Sequence, residues 1–188
     1  MEASGFVLAG GKSSRMGRDK ATLPYGGATL AFHIAALVRQ AVGTVAILGD
    51  PERYGALGYP VYPDVVPGCG PMGGVFTALS VTSTDWNLIA ACDMPSLSST
   101  IFRTLLERAS KSRAECVAAS GPSGEPEPLC AVYHRDCLPA LQREIEDKRF
   151  RMKVLLTELR TETVSVASLA LVNLNTPEEW REFSEKPE

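Results

Sequence analysis

Two habits alternate along this chain: short solid apolar runs, and longer stretches where apolar residues return every three or four positions. Gly5-Phe6-Val7-Leu8, Thr44 to Leu48, Val61-Tyr62, Asn87 to Cys92, Cys116 to Ala119 and Leu129 to Tyr133 belong to the first kind and predict strands. The run at 87–92 is apolar on both faces and predicts a central strand. The second kind predicts helices from Leu30 to Gln40, from Pro71 to about Ser80, from Ile101 to Lys111, from Arg135 to about Asp147, and near Leu155. Helix boundaries are marked in the sequence: Thr29 and Gly43 bracket the first, and Ser98-Ser99-Thr100 precedes another. Thr176-Pro177-Glu178-Glu179 combines an N-cap, a proline at the first helical position and a capping box, opening a last helix. Val164 to Val166 and Leu171-Val172 read as edge strands. Ser120 to Pro128, with three prolines and two glycines, reads as a mobile loop and a candidate lid.

Alternation of strand, loop and helix predicts an α/β fold with a mostly parallel central sheet and helices on both faces. At 188 residues the chain is expected to form one domain. Ligands of such sheets bind beyond the carboxyl ends of the strands, which directs attention to the residues that follow Leu8, Leu48, Tyr62 and Cys92.

Composition narrows the function classes. A net charge of −3 disfavours general nucleic-acid binding. The most apolar helix, Leu30 to Val38, is interrupted by His33 and too short to span a bilayer. The residues Met1-Glu2-Ala3-Ser4 carry no signal-peptide pattern. The five cysteines fit no metal-binding spacing, and their odd number suggests reduced, buried thiols. A cytoplasmic enzyme or binding protein, without membrane or nucleic-acid partners, is the expectation. His33 and His134 receive no catalytic role, and no Ser-His-Asp constellation is present.

Against the acidic background, Lys12, Arg15, Arg18 and Lys20 form a local reversal within Leu8-Ala9-Gly10-Gly11-Lys12-Ser13-Ser14-Arg15-Met16-Gly17-Arg18-Asp19-Lys20. Glycines let a backbone approach a ligand closely, successive N–H groups make an anion nest, and Lys and Arg add charge suited to phosphate. The natural guest is a nucleoside triphosphate. Two familiar phosphate loops are excluded: the glycines at 10, 11 and 17 do not make Gly-x-Gly-x-x-Gly, and Phe6 stands where the Walker loop needs glycine.

The stretch instead resembles the opening signature of nucleotidyltransferases with a glycosyltransferase-A-like, Rossmann-like fold. Its double glycine is most similar to that of the molybdenum cofactor guanylyltransferases. Gly70-Pro71-Met72-Gly73-Gly74, Cys92-Asp93-Met94-Pro95 and Asn173-Leu174-Asn175-Thr176-Pro177 match further family motifs in family order. The resemblance implies a nucleotide-diphospho-sugar transferase type of domain that transfers GMP from GTP to the phosphate of the molybdenum-bound pterin cofactor. It also implies Mg²⁺, or Mn²⁺ in its place, and transient contact with proteins that deliver the cofactor or mature molybdoenzymes. The N-terminal part would bind nucleotide, and about residues 115–175 would form the acceptor side.

By the same resemblance Leu8, Ala9, Gly10, Gly11, Asp64 and Gly70 line the nucleotide, Lys20 and Arg15 hold its phosphates, and Asp93 binds metal. Asn173, Asn175, Arg149 and Arg151 fall on the acceptor side. Plainer readings stand beside these. Asp93 could merely end a strand, Asp64 could be a turn residue after Pro63, and Gly70 to Gly74 could be a tight packing contact. The cluster Lys148, Arg149, Arg151 and Lys153 could be an exposed helix face. Gly49-Asp50 stands where relatives often carry an Asn. A cytidylyl or sugar-phosphate transferase, and a GTP-binding regulator without turnover, are the rival functions.

Overall fold

A computed structural model of the chain describes residues 1–10 and 19–184. Its central sheet is built of β1 (Ala3–Leu8), β4 (Ala46–Leu48), β5 (Val61–Tyr62), β6 (Trp86–Ala91), β7 (Cys116–Ser120), β8 (Pro126–His134) and β9 (Thr161–Ser165), in the order β5-β4-β1-β6-β8-β7-β9. β5, β4, β1 and β6 run parallel; β8 lies antiparallel between β6 and β7; β9 is parallel to β7. β2 (Pro24–Tyr25) and β3 (Ala28–Thr29) form a separate small hairpin after Lys20.

The two-residue period of the strands divides the core. Phe6, Ala46, Leu48 and Ile89 face one side; Val7, Ile47, Leu88 and Ala90 face the other. The second side is covered by α1 (Leu30–Val42) and α4 (Ser99–Ser110), the first by α3 (Pro71–Val81), α5 (Leu138–Glu146) and α6 (Met152–Glu158). β6 is buried along nearly its whole length, as a solid apolar run in a two-sided sheet must be. The caps fall where the sequence puts them. Thr29 accepts from the Phe32 N–H at 3.3 Å, Gly43 takes a left-handed conformation, and Ser98 accepts from the Ile101 N–H.

Two local expectations are corrected, and one element appears that the sequence pattern does not announce. The stretch 120–128 is only partly a loop: Ser120 ends β7 and Pro126 begins β8, with Ser120 opposite Pro126 and Ala119 opposite Glu127, so residues 121–125 alone form the turn of a β7–β8 hairpin. A bulge between Ala118 and Ala119 separates this end from the regular ladder, and β8 pairs with β6 only from Cys130 onward. Pro126 and Pro128 therefore sit where no N–H is demanded. Residues 168–171 form a 3₁₀ turn rather than a strand, while β9 takes the sheet edge. A four-residue helix, α2 (Pro51–Tyr54), follows β4 and is capped by Asp50, whose carboxylate accepts from the Glu52 N–H at 2.9 Å.

Among the described residues no helix is long and apolar enough to cross a membrane. All five cysteines are buried and none forms a disulfide. Burial raises the pKa of Cys92, Cys116, Cys130 and Cys137, which suits small apolar fillers rather than nucleophiles.

Candidate active site

A cavity of about 660 Å³ opens at the carboxyl ends of β1, β4 and β6, within the size range of ligand pockets. Leu8, Ala9, Gly10, Lys20, Asp64, Gly70 and Asp93, drawn from four separate stretches of the sequence, all line it. Gly11 and Arg15 lie outside the described residues. A second cavity, of about 470 Å³, sits at the opposite end of the sheet between the start of β1 and the end of α1.

Parallel pairing explains the convergence. Leu8 pairs with Leu48 on one side and Ala91 on the other, so the loops leaving β1, β4 and β6 emerge side by side. The ladder extends one step further: the Ala9 N–H donates to Leu48 O at 2.9 Å and the Cys92 N–H to Leu8 O at 3.2 Å. Asp93 thus stands one residue beyond the last bond of the central strand, its side chain 25% exposed.

Glycines let α3 reach this rim. Gly70 precedes Pro71 with φ of +59°, a left-handed value that favours glycine. A Cβ on Gly74 would lie 3.0 Å from the Leu8 side chain, and one on Gly73 would lie 2.9 Å from Val66 O. The glycine-rich motif is thus both a packing contact and part of the pocket wall. Asp64 is half-buried beside Gly73, and desolvation raises its carboxyl pKa above the usual range. Its carboxylate has no hydrogen-bond or ion-pair partner among the described residues, which leaves an acceptor turned to the cavity.

Lys20 joins three parts of the chain. Its ammonium, with the side chain 16% exposed, lies 3.3 Å from Asp93 Oδ2 and donates to Asn175 Oδ1 at 2.6 Å. Asn175 is held there by its surroundings. The Leu174 N–H donates to Asp93 O at 2.9 Å, and Glu179 accepts from the Asn175 and Thr176 N–H groups. Asn173 O accepts from Asn175 Nδ2 at 3.4 Å. The capping box of α7 (Pro177–Ser184) therefore also orients a residue of the site. Tyr25 anchors α7, stacking on Phe183 with ring centroids 5.9 Å apart and lying 6.4 Å from Trp180.

The acceptor-side arginines part company. Arg149 donates through Nε and Nη2 to Glu144, whose side chain is completely buried, and its Nη1 lies 2.8 Å from Asp147. These bonds hold the Glu144 carboxyl below its usual pKa. All three guanidinium nitrogens expected to grip a phosphate are thus engaged at the α5–α6 corner. Arg151 immediately precedes α6 as its N-cap residue, exposed and without an ion pair among the described residues. Lys153 reaches Glu125 in the β7–β8 hairpin at 2.5 Å. Because β8 is antiparallel, that hairpin lies at the same end of the sheet as Asp93, and α6 starts at this rim.

Sequence reasoning missed Asp19, Arg53 and Tyr54, which also line the cavity, as does Asp50, which the sequence marks only as standing where relatives often carry an Asn. The signal for Asp19 was its place beside Lys20; Tyr54 belongs to no motif. Among the described residues no three His, Cys, Asp or Glu side chains cluster as a metal cage. Mg²⁺ with a nucleotide is ordinarily held by one or two carboxylates plus phosphates and water, so Asp93 at the cavity mouth fits such an ion. Among the described residues the cavity offers the Lys20 ammonium and several carboxylates, with Asp93 at its mouth.

Comparison with known proteins agrees with this fold. A family model described as a MobA-like NTP transferase domain matches residues 5–163. A "probable molybdenum cofactor guanylyltransferase" of Carboxydothermus hydrogenoformans is 30% identical over 185 residues, covering 94% of this chain and 92% of that protein. Its counterpart in Pelotomaculum thermopropionicum is 31% identical over 186 residues, covering 94% and 89%. The crystal structure of molybdopterin-guanine dinucleotide biosynthesis protein A from Archaeoglobus fulgidus superposes with a TM-score of 0.79 at 21% identity, covering 95% of each chain.

Proposed function

Because the chain belongs to the family of MobA-like NTP transferase domains, we propose that it transfers GMP from GTP to the terminal phosphate of the molybdenum-bound pterin cofactor, releasing pyrophosphate. The observation that carries this reading is the convergence of Leu8 to Gly10, Lys20, Asp64, Gly70 and Asp93 on one cavity. Near-full-length similarity to molybdenum cofactor guanylyltransferases supplies the guanine and the acceptor.

The chemistry needs no side-chain nucleophile. An oxygen of the acceptor phosphate forms a bond to the α-phosphorus of GTP, while the bond from that phosphorus to the bridging oxygen of pyrophosphate breaks. Such transfers are accelerated by positioning and charge stabilisation. The backbone at Leu8 to Gly10 lies along the nucleoside, and the Asp64 carboxylate accepts hydrogen bonds from the guanine edge or the ribose. Lys20 donates to the phosphates and offsets charge as pyrophosphate departs. Asn175, bonded to Lys20, keeps the ammonium within the cavity. Asp93 would hold Mg²⁺, or Mn²⁺ in its place. The bound ion would draw charge from the phosphate oxygens. Arg151, exposed at the α6 rim, is the guanidinium available to the acceptor phosphate.

Mixing the protein with GTP, Mg²⁺ and the molybdenum-bound pterin tests this. One pyrophosphate released per guanine dinucleotide formed, identified by mass spectrometry, is expected. The same product chemistry with CTP alone would move the protein to the cytidylyl branch. Tight GTP binding with no pyrophosphate would make it a nucleotide-binding regulator.

A further inference from the structure

Tyr54 ends α2 and is only 2% exposed, yet its hydroxyl reaches the cavity wall and donates to Asp19 Oδ2 at 2.5 Å. Burial, then the Asp19 carboxylate, push the phenol pKa far up, so the hydroxyl stays protonated and serves as a donor throughout the working pH range. The other Asp19 oxygen accepts from the Ala21 N–H at 3.0 Å and so caps the 3₁₀ turn Lys20–Thr22. Asp19 O accepts from Thr22 Oγ1 at 2.8 Å. One carboxylate thus ties Tyr54 to the turn that carries Lys20. Arg53 adds a looser contact, Nη1 to Asp19 Oδ2 at 3.8 Å, from a side chain 64% exposed.

The other end of this link is equally fixed. Tyr54 packs over Gly49, at the carboxyl end of β4. A Cβ on Gly49 would lie 2.6 Å from the Tyr54 ring and 2.0 Å from Ala9 O, so no side chain fits between the two. The Tyr54 N–H donates to Asp50 O at 3.0 Å, closing α2 on its own cap. A continuous set of contacts therefore runs from Ala9 and Gly49, through Tyr54 and Asp19, to Lys20.

We propose that Tyr54 is a positioning residue for Lys20: its hydroxyl, acting through Asp19, fixes the turn that aims the ammonium at the triphosphate. The link also ties the turn that carries Lys20 to the carboxyl end of β4. This inference rests on the reading of Lys20 as a triphosphate ligand. A buried tyrosine hydroxyl needs a partner in any case, so the test must separate aiming from mere satisfaction of that hydroxyl.

A double-mutant cycle does so. Tyr54→Phe keeps the ring over Gly49 and removes only the donor. In the otherwise unchanged protein it should lower kcat/KM for GTP about tenfold; in the Lys20→Ala background it should lower it less than about twofold, because nothing is left to aim. Equal losses in both backgrounds would make the bond purely structural and overturn the proposal, as would no loss in either. Asp19→Asn approaches the same bond from the other partner and should show the same dependence on Lys20. A second readout needs no nucleotide: amide exchange at Ala21 and Thr22 should quicken about tenfold in Tyr54→Phe while Val7 and Ile89 keep their protection. Unchanged exchange at Ala21 and Thr22 would overturn the link whichever nucleotide the protein uses. A protein inert toward GTP but with quickened exchange would overturn the guanylyl reading and leave the link standing.

Discussion

Lys20 and Arg149 are both cations beside carboxylates near the same rim of one sheet, and each comes from a basic cluster conspicuous in the sequence. Their situations differ. Lys20 lies in the cavity wall, bonded to Asn175 and 3.3 Å from Asp93. Arg149 is spent on Glu144 and Asp147 at a corner between two helices. The difference lies in what surrounds each cation. Around Lys20, parallel strands end together and leave polar groups facing open space. Around Arg149, a carboxylate with no exposed surface requires a counter-charge. A cluster of basic residues therefore says little about function until the acids that share its neighbourhood are known.

That contrast can be sharpened by substitution, beginning where the effect is largest. Asp93→Ala should lower kcat by about 10³-fold or more while leaving the thermal midpoint nearly unchanged, since the side chain supports no core contact. An active variant would remove Asp93 from the mechanism. Lys20→Ala should cost about 10²-fold in kcat/KM for GTP and weaken GTP binding in calorimetry; unchanged affinity would return Lys20 to a surface role.

On the acceptor side, Arg151→Ala should raise KM for the pterin substrate about tenfold with little change in thermal stability. Arg149→Ala should do the reverse, lowering the thermal midpoint by leaving Glu144 buried without its partner and shifting the acceptor KM less than Arg151→Ala does. If Arg149→Ala instead raised the acceptor KM without loss of stability, the contrast drawn above would collapse.

The smallest effect concerns pH. Desolvation raises the Asp64 carboxyl pKa, so on acidification it gains a proton sooner than an exposed aspartate would. Binding that uses the carboxylate as an acceptor should weaken as pH falls through that raised value. KM for GTP should therefore climb on mild acidification, and the climb should vanish in Asp64→Asn. A stability titration should show the opposite sign for the same group. The cost of burying the charge is fully present above the folded-state pKa and disappears as pH falls below the ordinary aspartate value.

Most of the sheet and the cavity floor were legible in the chain because they depend on local rules. Solid apolar runs make buried strands, loops that leave adjacent parallel strands gather at their carboxyl ends, and Thr176 with Glu179 caps a helix. What stayed hidden depends on contacts between distant segments. Nothing near Tyr54 indicates that its hydroxyl meets Asp19, thirty-five positions earlier. The prolines at 126 and 128 suggested a loop, since whether a proline can stand in a strand depends on where its neighbours stop pairing. Leu171-Val172 looked like a strand, but β9 had already taken the edge. The partner of Arg149 did leave a trace: Glu144 shares the buried face of α5 with Ala140 and Leu141, and an acid on an apolar helix face calls for a nearby cation.

If the cavity at the ends of β1, β4 and β6 holds a guanine nucleotide through Asp64 and Lys20, the protein must select among nucleotides in solution. Calorimetric titration of the protein with GTP, CTP, ATP and UTP, each with Mg²⁺, tests it most directly. A clear preference for GTP is expected, with GTP binding weakened in Asp64→Asn and binding of every nucleotide weakened in Lys20→Ala. Equal affinity for all four nucleotides, or no binding of any, would contradict it.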